Sequence, residues 1–158
     1  MNNLNRLLQL LLTSDFDFVL VGGFAAALYG SSMVTKDIDI CMLTSKENIE
    51  KLRLVLKDYN PRHQMTPQKL SFLHYPEDIS IIKNIYLETT LGVLDIISTV
   101  SGVGTFELIK EHATMISLFG KQCPILSIQD LINSKKNLAR QRDFVVIKEL
   151  ELILQKKK

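Results

Sequence analysis

The most constraining stretch of this chain is Asp37-Ile38-Asp39-Ile40, where an acid and a branched apolar residue alternate strictly. On a strand, residues i and i+2 share a face. Ile38 and Ile40 therefore enter a core while Asp37 and Asp39 stand together on the opposite face. A chain with this pattern needs a sheet with one covered face and a way to tolerate two adjacent like charges. Such charges repel unless a cation sits between them. Hard oxygen ligands favour Mg²⁺ or Mn²⁺, which bind one or two protein carboxylates and complete their shells with water and substrate phosphates. For the pair taken alone, a solvated strand edge is the competing interpretation.

Upstream, Phe16-Asp-Phe-Val-Leu-Val reads as a strand running into Gly22 and Gly23, and Ala25-Ala-Ala-Leu-Tyr29 as a short helix stopped at Gly30. A glycine pair between strand and helix lets the backbone approach a ligand that a Cβ would push away, and a helix N-terminus favours anions. The arrangement describes a phosphate seat. It matches neither the dinucleotide-binding fingerprint nor the P-loop, because no further spaced glycine and no Gly-Lys-Ser/Thr follows. A third acid, Asp95, lies in Gly92-Val-Leu-Asp-Ile-Ile, flanked by residues that would bury it. A carboxylate there is costly unless paired, metal-bound or protonated. Three acids on neighbouring strands can hold two metal ions about 4 Å apart, one gripping a triphosphate and one activating an attacking hydroxyl.

The remaining pattern predicts an α+β fold. Leu4, Leu7, Leu8, Leu11 and Leu12 recur at helical spacing, and Ser45 with Asn48 opens a helix through Leu56. Strands are expected at Asp37–Met42, Leu70–Tyr75, Ile85–Thr89 and Val93–Ile97, with a helix over Phe106–Met115. Gly120-Lys121 marks a hairpin within Ile116–Leu126, and Ser127 caps a helix with Asp130 three residues on. Two helices, about 128–138 and 143–154, close the chain. The 158 residues are expected to form one domain, with a core over about 16–126 and C-terminal helices over about 127–155.

Composition excludes several classes. Apolar residues make up 46% and charged residues 23%, which fits a packed core and argues against disorder. The longest apolar run, Phe18 to Tyr29, is broken by glycines and falls short of the roughly 20 residues a membrane span needs, so no membrane association is expected. The first residues lack the layout of a secretory signal, and Cys41 and Cys123 are far apart, so a reduced cytoplasmic protein with two core thiols is expected. Residues 1–120 carry 10 basic and 13 acidic side chains against 9 and 4 in 121–158, a basic end able to meet a polyanion. The Leu4–Leu12 helix is open to packing within the chain or across a homodimer interface. His63, His74 and His112 show no metal-ligand spacing.

Together, Val21-Gly-Gly-Phe-Ala-Ala-Ala-Leu-Tyr-Gly, Thr35-Lys-Asp-Ile-Asp-Ile and the later Asp95 resemble the DNA polymerase β-like nucleotidyltransferase superfamily. Within it, the chain is similar to small bacterial proteins related to the AbiE-type abortive-infection toxins. The closing Leu126-Ser-Ile-Gln-Asp-Leu-Ile-Asn-Ser-Lys-Lys-Asn-Leu-Ala-Arg-Gln-Arg-Asp resembles their C-terminal helical signature. The resemblance runs from about Phe18 to Leu154. It implies a minimal nucleotidyltransferase fold, a small mixed sheet with helices packed on it and a C-terminal helical pair. It also implies a Mg²⁺- or Mn²⁺-dependent transfer of a nucleoside monophosphate from a nucleoside triphosphate such as ATP, in a toxin-like setting.

On that resemblance Asp37, Asp39 and Asp95 are the catalytic and metal-binding acids, and Gly22 and Gly23 seat the phosphates. Lys135 and Arg140 face the phosphates, and Asp143 orients the helix junction. Three acceptors stay open: an RNA or tRNA end, a hydroxyl on a protein, or a small molecule. A nucleotide-binding or regulatory module that has lost catalysis is the alternative function. Thr35, on the side of Asp37, is a candidate phosphate contact or a structural cap. Strand alternation would send Lys36 away from the acids, and Ser31 and Ser32 read as turn formers. Phe24, Tyr29 and Tyr75 are expected to pack rather than to stack on a base.

Overall fold

The structure, a computed structural model, describes residues 3–138 and 140–157. Ala139, at the junction of the closing helices, and Lys158 of the basic tail lie outside the described residues. The chain opens with helix α1 (Asn3–Leu12), which buries Leu4, Leu7, Leu8 and Leu11 and packs on strands β2 (Asp37–Cys41) and β5 (Gly92–Ile97). Between them run strand β1 (Val19–Val21) and helix α2 (Gly22–Tyr29), which Gly30 ends in the left-handed conformation with φ 111°. Strand β1 covers only half of the expected Phe16–Val21 stretch, and α2 begins at the glycines themselves.

Helix α3 (Lys46–Leu56) is capped as its sequence requires, the Ser45 hydroxyl accepting from the Asn48 amide at 3.2 Å. Strand β3 is a two-residue piece (Arg62–His63), and β4 (Ile85–Thr89) precedes β5. The expected strand Leu70–Tyr75 does not form: only a bridge from Arg62 to Ser71 survives, and the rest turns. Its apolar residues serve another purpose, since Phe72 is fully buried and Arg53 lies over its ring at 5.1 Å. Arg53 also donates to the carbonyls of Phe72 and Pro76, so a side chain satisfies backbone that no ladder reaches.

A small ribbon of β6 (Thr99–Val100) and β7 (Gly104–Thr105) leads into helix α4 (Phe106–His112), shorter than expected because Thr114 already starts a strand. Strands β8 (Thr114–Leu118) and β9 (Lys121–Ile125) form the expected hairpin, with both Phe119 and Gly120 at positive φ. Helices α5 (Ile128–Leu138) and α6 (Asp143–Lys156) then pack on each other and on α2. The Ser127 hydroxyl accepts from the Asp130 amide at 3.1 Å, the cap the sequence called for.

Seven strands form one mixed sheet in the order β3-β4-β5-β2-β1-β9-β8. Strands β2 and β5 run parallel, β1 and β2 antiparallel, and β4 and β5 antiparallel. The register decides the chemistry. Asp39 pairs with Asp95 across the parallel ladder, Val21 pairs with Asp39, and Tyr86 pairs with Asp95 on the far side. Ile38 and Ile40 are fully buried while Asp37 and Asp39 are half-buried, as the alternation required.

Candidate active site

The pairing of Asp39 with Asp95, and the position of Asp37 two residues earlier on β2, bring three carboxylates together at the centre of the sheet. One oxygen from each lies within 4.8 Å of the others. They form one wall of a cleft of about 660 Å³. Gly22, Gly23, Met33 to Lys36, Asn84, Tyr86, Thr99 to Ser101, Ser134, Lys135, Arg140 and Arg142 complete its lining with a few apolar residues.

The glycines have a concrete task. A Cβ on Gly22 would lie 2.0 Å from Oδ2 of Asp39, and its φ of +71° is one that glycine alone adopts freely. Gly22 thus makes room for the carboxylate as well as for any ligand. At Gly23 a Cβ would lie 2.8 Å from Sδ of Met33, so the segment before β2 closes tightly over the turn. The N-terminus of α2 follows Val21, has no side-chain cap and no acid in its first turn, and its amides remain available to an anion.

Electrostatically the three acids are poorly compensated. Burial first, then the charges of Asp37 and Asp95, push the Asp39 carboxyl up to about 8. Burial and Asp37 likewise raise Asp95. Among the described residues, Oδ1 of Asp95 is buried and finds no hydrogen-bond partner. An orphaned carboxylate oxygen and a raised carboxyl are features that a divalent cation held between the acids would relieve. The donor set, all oxygen, fits Mg²⁺ or Mn²⁺.

At Asp143 the balance reverses. Asp143, fully buried at the start of α6, accepts from Arg140 at 2.7 Å and 3.3 Å and from Lys135 at 3.4 Å. Burial works to raise its carboxyl, but Arg140 and Lys135 more than offset this and hold it below its ordinary value. Lys135 is itself buried, with its ammonium 4.0 Å from Sδ of Met33 and close enough to act on Asp39. Lys135 and Arg140 line the cleft with the carboxylate trio, while Asp143, which binds both cations, is fully buried and does not line it.

Of the residues marked in the sequence, Gly22, Gly23, Thr35, Asp37, Asp39, Asp95, Lys135 and Arg140 all line this cleft. The Thr35 hydroxyl lies 3.0 Å from Oδ1 of Asp37 and 3.0 Å from the Asp37 carbonyl. Lys36 also lines the cleft, contrary to the alternation argument: β2 starts only at Asp37, so the two-residue period does not extend back to it. Phe24 and Tyr29 pack as expected, whereas Tyr75 is exposed and does not enter the core. Phe24 is buried, Tyr29 donates to the Leu126 carbonyl at 2.9 Å, and Tyr75 lies edge-on to His63. Both cysteines are fully buried, burial pushing the Cys41 thiol up to about 12 and the Cys123 thiol up to about 11.

Sequence reasoning missed Tyr86, Asn84, Thr99, Ser101 and Arg142 as cleft residues. Tyr86 carried a legible signal, since its place on the strand before Asp95 makes it a cross-strand neighbour once the hairpin is drawn.

No protein-family profile and no curated protein matches this chain. A solved structure does match: the lincosamide antibiotic adenylyltransferase LnuA, crystallised with lincomycin bound. The superposition has a TM-score of 0.60 and covers 96% of each chain at 17% sequence identity. The chain shares the mixed α+β fold of that nucleotidyltransferase. At that identity the likeness speaks for the architecture. No helix among the described residues is long and apolar enough to cross a membrane.

Proposed function

We propose that this protein is a divalent-metal-dependent nucleotidyltransferase, moving a nucleoside monophosphate from a nucleoside triphosphate to an acceptor hydroxyl. The observation that carries the reading is the carboxylate trio: three acids within 4.8 Å, one with an orphaned buried oxygen, beside an uncapped helix N-terminus and a buried lysine. The nucleotidyltransferase fold of the LnuA neighbour supports it.

Asp37, Asp39 and Asp95 would hold the metal. When bound, a divalent cation would neutralise the acids, draw in the triphosphate and lower the pKa of an attacking hydroxyl. The amides of Gly22 and Gly23 seat phosphate oxygens at the start of α2. An acceptor oxygen then bonds to the α-phosphorus in line, and the bond from that phosphorus to the bridging oxygen breaks. Pyrophosphate leaves with the electron pair. Asp95, beside the attacking hydroxyl, would take its proton. Lys135 and Arg140, fixed by Asp143, offset charge on the leaving pyrophosphate.

For the acceptor, the sheet order separates two sides of the cleft. The glycine turn lies over β1, and beyond Asp95 on β5 comes Tyr86 on β4. On that far side Asn84, Tyr86, Thr99 and Ser101 bring hydroxyls, an amide and an aromatic ring, and none is charged. Such a wall suits a small hydroxyl compound better than a phosphodiester backbone, which needs cations. RNA, to which the basic C-terminal region is suited, is the rival acceptor. Each α-³²P nucleoside triphosphate, incubated with Mg²⁺ and separate pools of RNA, protein and small hydroxyl compounds, tests the reading. Label transferred by the wild type and lost in Asp37→Ala/Asp39→Ala supports it. Equal transfer by both, or none by either, contradicts it.

A further inference from the structure

We infer that Glu149, on α6, is a positioning residue for the nucleotide side of the cleft, acting through the segment between α2 and β2. This inference rests on the reading of the cleft as a nucleotide site. Residues 31–35 of that segment form neither helix nor strand, yet Met33, Val34, Thr35 and Lys36 make up one edge of the cleft. Backbone of this kind has no ladder to hold it, so its position must come from elsewhere.

The Glu149 carboxylate supplies the hold. It accepts from the Ser31 hydroxyl at 3.3 Å, from the Ser32 amide at 3.1 Å and from the Ser32 hydroxyl at 3.0 Å. The Ser31 hydroxyl oxygen in turn accepts from the Met33 amide at 3.1 Å, which continues the brace into the cleft wall. Bonds to an ionised acceptor are the stronger kind. Among the described residues, no ion pair within 4.0 Å engages Glu149.

Past the serines, the segment reaches both halves of the site. Met33 sits between the Gly23 turn and the Lys135 ammonium, the two groups assigned to phosphate. Thr35 is bonded to the carboxylate of Asp37. Loosening the segment at the serines would leave Met33 free to wander in the space the phosphates need and would remove part of the support of Asp37. The chief loss is in nucleotide binding, because the brace lies on that side and Asp95 and Tyr86 are held independently by β4 and β5.

The test compares wild type, Glu149→Ala, Glu149→Gln and Glu149→Ala/Ser32→Ala by steady-state kinetics and by hydrogen exchange at the Ser32 and Met33 amides. Glu149→Ala is expected to raise KM for the nucleoside triphosphate about tenfold with kcat changed less than about twofold. Exchange at both amides should quicken by about tenfold. Glu149→Gln keeps one accepting oxygen and should fall between. Adding Ser32→Ala to Glu149→Ala should change little further, since the partners act as one unit. A lowered melting temperature with KM unchanged would overturn the inference, as would additive effects in the double variant. If wild type binds no nucleotide with Mg²⁺, the functional reading falls on its own. The exchange data still decide the brace, and unaltered exchange in Glu149→Ala overturns it.

Discussion

Asp143 and the trio of Asp37, Asp39 and Asp95 are compensated in opposite ways. Asp143 is the more deeply buried, yet Lys135 and Arg140 surround it and hold its carboxyl below the ordinary range. Asp37, Asp39 and Asp95 are less buried, yet they crowd one another and push Asp39 up to about 8. Burial alone therefore does not decide how a carboxyl is held. Compensation does: Asp143 has its counter-charges built into the chain, whereas the three acids repel one another and only Lys135 acts against this at Asp39.

The largest expected effect falls on the undercompensated set. Asp37→Ala/Asp39→Ala should reduce nucleotidyl transfer by at least about 10³-fold, measured as label incorporated per unit time. In metal-free buffer the same variant should melt no lower than wild type, because repulsion is removed. Asp143→Ala should do the reverse, costing about 3–5 kcal/mol of stability in urea unfolding by stranding buried Lys135 without its partner. If the two variants had similar profiles, the distinction would fail.

A smaller effect is expected at the turn. Gly22→Ala must bear a left-handed backbone and a close approach to Asp39, costing about 1–2 kcal/mol or more by thermal melting, and should weaken Mn²⁺ binding because that carboxylate has to move. The pH dependence sharpens the contrast most gently. A raised carboxyl such as Asp39 contributes stability that is complete below the unfolded carboxylate pKa of about 4 and is lost as pH rises through about 8. A lowered one such as Asp143 contributes above that unfolded value and loses its contribution as pH falls through its depressed value. Metal-free protein should thus lose stability at both ends, and Mn²⁺ should rescue only the alkaline end, as melts across the pH range with and without chelator would show.

Much of this contrast was legible in the sequence because it rests on strict local periods. Alternation put Asp37 and Asp39 on one face, apolar flanks marked Asp95 as a costly burial, and caps at Ser45 and Ser127 set the helix starts. Where the period stops, inference stopped too. Lys36 lies before β2 begins and lines the cleft against expectation. Leu70–Tyr75 has the apolar content of a strand, but only Phe72 enters the core, and its carbonyl accepts from Arg53 rather than from a neighbouring strand. The grip of Glu149 on Ser31 and Ser32 joins residues more than a hundred positions apart, and no local pattern announces it. Tyr86 became visible only through the β4–β5 register.

Whether the crowded acids form a metal site serving a nucleotide is decided by calorimetric titration with a nucleoside triphosphate, run with Mg²⁺, with chelator, and on Asp37→Ala/Asp39→Ala. Saturable binding is expected for wild type with Mg²⁺ only, abolished by chelator and by the variant. Binding of equal strength in all three, or none in wild type with Mg²⁺, would contradict it.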